Sequence, residues 1–347
     1  MELTNLQIRV SLHGIDPASQ GASPGNHTSS SSPSSAYPAA DTNPFPYLSS
    51  LVRSQDETQD FRTWTTDLEL MHHYATVTCR TLPRPDEMGD IWQLQLPQIA
   101  FSHDYLMHQL LAISAAHLAH IHGSDPDSRT AYSLRATQHQ NRALHRLQGV
   151  LPETNYENCA PIFLTASLLS IGAFAGLSES ATQAGGKPGI DELLQVLLLI
   201  RGMHGILNGY HEALKASSIG KLIQAGQCGS SSPLLAEIMD ELTTQRMLPI
   251  SKDANSERII REAMDSFIYW IRHASETVDV PELRVIMTWP TRLGDGFMTL
   301  VRARDADALR VLTCYGRMLE ALGPSQWYLT GWGQCVLADI NGASPYP

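Results

Sequence analysis

Five histidines in one stretch of this 347-residue chain, His103, His108, His117, His120 and His122, are the side chains most suited by type to metal chemistry. His117 and His120, three apart on a helix, would share a face and could present two imidazoles to one ion. A zinc site needs further convergent ligands, and no Cys or carboxylate completes this pair at helical spacing. The histidines therefore read as neutral groups, packed or at the surface, and no metal is expected. Asp305 and Asp307, beside Arg302, Arg304 and Arg310, read as a capped, solvated helix start and not as magnesium-holding carboxylates. There is no Gly-x-Ser-x-Gly elbow, His-Glu-x-x-His, P-loop or Gly-x-Gly-x-x-Gly after a strand. The common hydrolase, metalloprotease and nucleotide-binding readings lose their support, and no cofactor is expected.

What the chain does offer is a set of aromatic and Met side chains near its C-terminal end: Met287, Trp289, Phe297, Met298, Tyr315, Met318, Trp327, Tyr328 and Trp332. Such residues most often only pack. Between helices, with a few polar groups for orientation, they also line pockets for apolar ligands. The run 323–333, GPSQWYLTGWG, combines three glycines and three aromatics, which permits bends and close backbone approach, and is the candidate lid or pocket wall.

These groups must be positioned by helices. The segment 158–177, NCAPIFLTASLLSIGAFAGL, has no charged side chain and is apolar on every face. Its length would suit a membrane, but Thr165, Ser167, Ser170, Gly172 and Gly176 dilute it, no second such segment exists and no Lys/Arg cluster flanks it. A central helix surrounded by amphipathic ones is the expectation. Apolar spacing predicts helices from Leu68 to Leu82 (capped by Thr66 or Asp67), from Ser102 to Gly123 and from Ser128 to Leu151. In the last of these Ala131, Leu134, Leu144, Leu147 and Leu151 should face in, and Arg135, His139, Arg142 and Arg146 out. WQLQLPQI, residues 92–99, alternates with period two around Pro97 and reads as an extended approach or a short turn. Residues 178–189 read as a flexible break. Further helices are expected at 191–207, 233–247 (Met247 facing in), 256–277 and 305–322, the last ended by Gly323-Pro324. With no βαβ alternation the domain is all-α, a multi-helix bundle over residues 61–347.

Residues 1–60 are Ser/Pro-rich and short of large apolar groups, so they read as a disordered tail; an alternating run in 1–13 adds only a weak strand pattern. A net charge of −11 without a Lys/Arg-rich stretch argues against direct nucleic-acid binding. Five scattered cysteines and no charged-then-apolar leader fit a reducing, intracellular setting, nucleus or cytoplasm.

Several stretches, in order, resemble the ligand-sensing half of fungal-specific zinc-cluster transcription factors, in the branch of the sterol uptake control proteins. They are LELMHHY (68–74), WQLQLPQIAFSH (92–103), LMHQLLAISAAHL (106–118), NCAPIF (158–163), LIRG (199–202), Trp289-Pro290, the Arg304-Asp305 helix and WYLTGWG (327–333). The resemblance implies an α-helical regulatory domain that can dimerise and hold a sterol-like ligand near its C-terminal helices. That family reads DNA with an N-terminal cluster of six cysteines. No cysteine precedes Cys79 here, so the expectation is a protein that does not bind DNA in that way.

Two functions follow. The first is a regulator that binds an apolar, sterol- or terpenoid-like molecule and acts through a homodimer or a DNA-binding partner, in sterol or secondary metabolism. The second is a cofactor-independent cyclase, such as an intramolecular Diels-Alder catalyst, in which the pocket holds a reactive conformer and a donor polarises a carbonyl. Trp289, Phe297, Tyr315, Met318, Trp327, Tyr328 and Trp332 would shape the pocket, with Tyr315, Arg201 and His204 as polar candidates. The resemblance carries regulation with it and no catalytic constellation is visible, which favours the regulator.

Overall fold

In the structure, a computed structural model, residues 57–83, 85–183, 188–224, 229–248 and 253–343 are described. All regular structure among them is helical. The expected tail lies outside the described residues, except that its last four open the first helix.

The centre is α6 (Cys159–Gln183), since Ile162, Leu164, Leu168 and Phe174 have no exposed surface and point around its whole circumference. Its first 18 residues are long and apolar enough to cross a membrane, and 72% of that window is buried inside the fold. Other helices pack around it. On the N-terminal side α4 (Asp104–Ile121) packs against α6, α1 (Glu57–Thr76) and α5 (Pro126–Val150). On the other side α7 (Ile190–Leu207) contacts α6 and the 3-10 turn Trp289–Arg292. Beyond it lie α9 (Pro233–Met247), α10 (Ala254–Thr277), α11 (Pro281–Thr288), α12 (Asp295–Arg302), α13 (Ala306–Leu322) and α14 (Trp332–Ala343). In α10 the buried set Ile260, Ala263, Met264, Phe267, Ile271 and Ala274 keeps three- and four-residue spacing, the signature of one buried face.

Helix starts are set by short polar side chains. Asp125, Ser232, Asp253 and Asp305 each accept from a backbone N–H of the first turn, and Pro follows directly after Asp125 and Ser232. These side chains satisfy donors that the helix itself cannot, and Pro there has no N–H to leave unpaired.

The structure departs from the sequence-based expectation in several places. Thr66 and Asp67 lie inside α1 and do not cap it; Leu68 is half-exposed while Leu70 and Tyr74 are buried, with the Tyr74 hydroxyl donating to Trp92 O at 2.9 Å. The helix ends at Thr76, and a 3-10 turn, Thr78–Thr81, carries the chain on toward Pro83. Residues 92–99 are helical: α2 (Pro85–Asp90), a π turn over Ile91–Gln95 and α3 (Leu96–Ala100) follow without a break, with Pro97, which has no N–H to donate, just after the π turn. The buried pairs Ile91/Trp92 and Leu96/Pro97 are five apart, the repeat of a π turn, which in sequence mimics an interrupted alternation. In α5, Ala131 and Leu134 face solvent and His139 is buried, because its Nε2 lies 3.2 Å from the Asp67 carboxylate on α1. Met247, at the end of α9, is exposed. The expected break at 178–189 begins later, since α6 runs to Gln183.

Candidate ligand cavity

A cavity of about 1180 Å3 lies between α6, α7, α8 (His211–Ala216), α10 and α11. Its floor is a single stripe of α6: Phe163, Ala166, Ser167, Ser170 and Ile171. These positions follow i, i+3, i+4, i+7, i+8, so they share one helical face. The Ser167 and Ser170 hydroxyls are turned onto their own helix, donating to Phe163 O (2.9 Å) and Ala166 O (3.0 Å). The wall that α6 offers is thus small and effectively apolar.

The opposite wall repeats the pattern: Val280 and, on α11, Leu283, Arg284, Met287 and Thr288. Trp92 closes part of the boundary, its Nε1–H held by Pro83 O at 2.9 Å. Exposed residues form the rim, among them His204 on the last turn of α7, His211 on α8 and Arg292 on the 3-10 turn. The His204 imidazole is held below its ordinary pKa first by burial, then by the charges of Arg292 and His211. The volume exceeds the ~300–1,000 Å3 usual for small-molecule sites, and an apolar bed with polar groups at the mouth is how such sites are commonly built. Among the described residues no group of three His, Cys, Asp or Glu could hold a metal ion.

Of the nine residues picked out from the sequence, His204 lines this cavity and the other eight are placed elsewhere. Trp289, Phe297, Tyr315 and Met318 are core residues of the C-terminal helices. Trp289 stacks on Phe267 with ring centroids 4.2 Å apart, meets Phe297 edge-on and donates through Nε1 to Ala263 O (3.2 Å). The Tyr315 hydroxyl donates to Ile286 O at 3.0 Å, and burial pushes its pKa up. Trp332 is fully buried and meets Phe174 of α6 edge-on; Tyr328 donates to Gln326 Oε1. Trp327 stacks on His117 at 4.8 Å and donates to Thr81 Oγ1. Arg201 ties α7 to the start of α12, reaching Leu293 O at 3.2 Å and Asp295 Oδ1 at 2.5 Å.

The segment 323–333 forms the tight connection between α13 and α14. Gly331 has φ +80°, and a Cβ on Gly333 would fall 2.2 Å from the backbone N of Glu320. The glycines serve a bend and a close approach, as their spacing suggested.

Residues 69–182, from the middle of α1 into the last turn of α6, match the family described as the fungal specific transcription factor domain. The chain is similar to that family over this stretch, about a third of its length. It is 24% identical over 291 residues to sterol uptake control protein 2 of Saccharomyces cerevisiae, covering 79% of this chain and 30% of that protein. To the protein of the same name in Candida albicans it is 25% identical over 303 residues, covering 79% and 40%. A Zn(2)-C6 fungal-type transcription factor of Gibberella zeae is 24% identical over 293 residues, covering 81% and 59%. The chain therefore spans 30–59% of the length of these relatives. The α6 floor of the cavity falls inside the family match, whereas the walls from α7 to α11 lie beyond it.

Proposed function

We propose that this chain is the ligand-sensing part of a fungal transcription regulator, with the cavity between α6 and α11 as the place where an apolar molecule of sterol or terpenoid size is held. The observation that carries this reading is a cavity of about 1180 Å3 whose floor is one face of the central helix, with small Ala166, Ser167 and Ser170 between Phe163 and Ile171. The names of the relatives, sterol uptake control proteins, support the same class of ligand. Since α6 touches both halves of the domain, a ligand seated on it is well placed to bias how they pack, which is how occupancy would reach a partner. The regulator acts in the nucleus or cytoplasm. Its partners in this reading are a second copy of the chain or a DNA-binding protein, and sterol or secondary metabolism is the process it serves.

The test is equilibrium binding of a fluorescent sterol, dehydroergosterol, to the purified chain, with native mass spectrometry of the complex. A ligand of about 28 non-hydrogen atoms, at about 0.3 kcal/mol each, should bind with a Kd on the order of 1 μM. Ser170→Phe, which places a ring in the floor, should weaken binding by tenfold or more while the thermal midpoint stays within a few degrees. Absence of a complex, or equal binding to Ser170→Phe, overturns the assignment.

A further inference from the structure

The cavity wall has an electrostatic bias that a neutral hydrocarbon would not use. With 35 acidic residues in 347, composition alone would put between two and three among the 26 residues of the wall. Among the described residues the wall has none. It has Lys215, Arg284 and Arg292, together with the imidazoles of His204, His211 and His273, in a chain of net charge −11. Lys215 does meet Glu212, at 3.2 Å, but that carboxylate is 86% exposed, and a solvated pair of this kind is weak. After burial, the charges of Arg292 and His211 both act on His204 at the rim.

A second observation is independent of charge. Trp270 lies on the wall with its indole Nε1–H buried and no acceptor in reach. Buried donors are nearly always paired, so an oxygen presented within the cavity would meet an existing demand.

We infer that the ligand is an amphipathic acid. Its hydrocarbon body lies on the α6 floor, its carboxylate sits at the rim against Arg292 and Lys215, and an oxygen accepts from Trp270. Cationic groups at the mouth of a low-dielectric cavity focus their field inward, which favours an anion over its neutral counterpart. This rests on the cavity being the ligand site, as proposed above.

The experiment compares matched pairs on the full chain: oleate against oleyl alcohol, and cholesteryl hemisuccinate against cholesterol. Each acid should bind about tenfold or more tighter than its neutral partner, with a preference that shrinks as salt is raised. In the Lys215→Gln/Arg292→Gln variant the preference should collapse while the neutral partners bind as before; Arg292→Lys should retain it. Trp270→Phe should weaken both acids. Equal binding of acid and neutral partner overturns this inference and leaves the apolar-ligand reading standing. Failure of all four probes overturns both.

Discussion

Replacing Trp332 by Ala separates packing from ligand lining at one residue. The side chain is fully buried, meets Phe174 edge-on with centroids 5.5 Å apart, and donates to Phe174 O at 2.9 Å, so it pins α14 to the central helix. Truncating a core Trp costs about 3–5 kcal/mol through lost burial and the void left behind. At about 2–4 °C per kcal/mol for a domain of 150 to 250 residues, the thermal midpoint should fall by roughly 6–20 °C. Trp332→Phe keeps most of the ring and loses the N–H, so it should cost only about 1–2 kcal/mol. Urea unfolding followed by circular dichroism reads both, with a lower midpoint at unchanged slope as the sign of a pure stability change. If Trp332→Ala cost less than about 1 kcal/mol and at the same time abolished dehydroergosterol binding, Trp332 would be a pocket wall and its place in the core would be refuted.

Three other outcomes are expected. Gly333→Ala puts a Cβ 2.2 Å from Glu320 N, a backbone atom that cannot move aside, so α13 and α14 must separate; the loss should exceed about 3 kcal/mol in urea unfolding, far beyond an ordinary surface Gly→Ala change. His117, buried beside His73 and Trp327, has its pKa lowered to about 4, by burial first and then by His73 and His120. The unfolded chain, near 6.5, then binds the extra proton, so stability is complete above pH 6.5 and falls as pH is lowered toward 4, by about 3 kcal/mol at 1.4 per pK unit. In His117→Gln the drop between pH 7 and pH 4.5, measured by chemical denaturation, should be smaller than in the parent; an identical drop would remove His117 as its source. Arg201→Met breaks the tie to Leu293 O and to an Asp295 side chain that is 88% exposed. It should cost about 1 kcal/mol and leave ligand affinity unchanged, as calorimetry of folding and binding would show.

The helical plan was legible because punctuation and periodicity agree. Pro233, Asp253, Asp305 and Gly323-Pro324 stand at element ends where a missing N–H, a side-chain acceptor or a stop is needed, and α9 begins and ends where its pattern does. Errors arose where a tertiary partner outranked local pattern. His139 looks outward by sequence, yet Asp67, 72 residues earlier, gives it a buried partner, so it joins Ala143 and Leu147 on the inner face of α5. Residues 92–99 look alternating because the π turn over Ile91–Gln95 spaces buried pairs five apart, a repeat that neither the helical nor the strand template contains.

From the sequence the cavity was met only at His204 and Met287, for a related reason. Large aromatic and Met side chains draw attention as pocket builders, but in a close-packed core they are what fills space, and seven of the residues nominated on that basis sit in packing contacts. Room is made instead by what is small. Ala166, Ser167 and Ser170 form one face of α6, and the serines that dilute its hydrophobicity spend their hydroxyls on their own backbone. A helix with large residues on that face would draw α11 in against it and close the gap. Two of the five residues that dilute the hydrophobicity of α6, Ser167 and Ser170, are therefore also ones that leave a space beside it. Small residues at i, i+1 and i+4 (Ala166, Ser167 and Ser170), framed by Phe163 and Ile171 on the most apolar helix and faced by a second stripe spaced alike on α11, are thus the pattern in the amino-acid order that marks where the two helices stand apart.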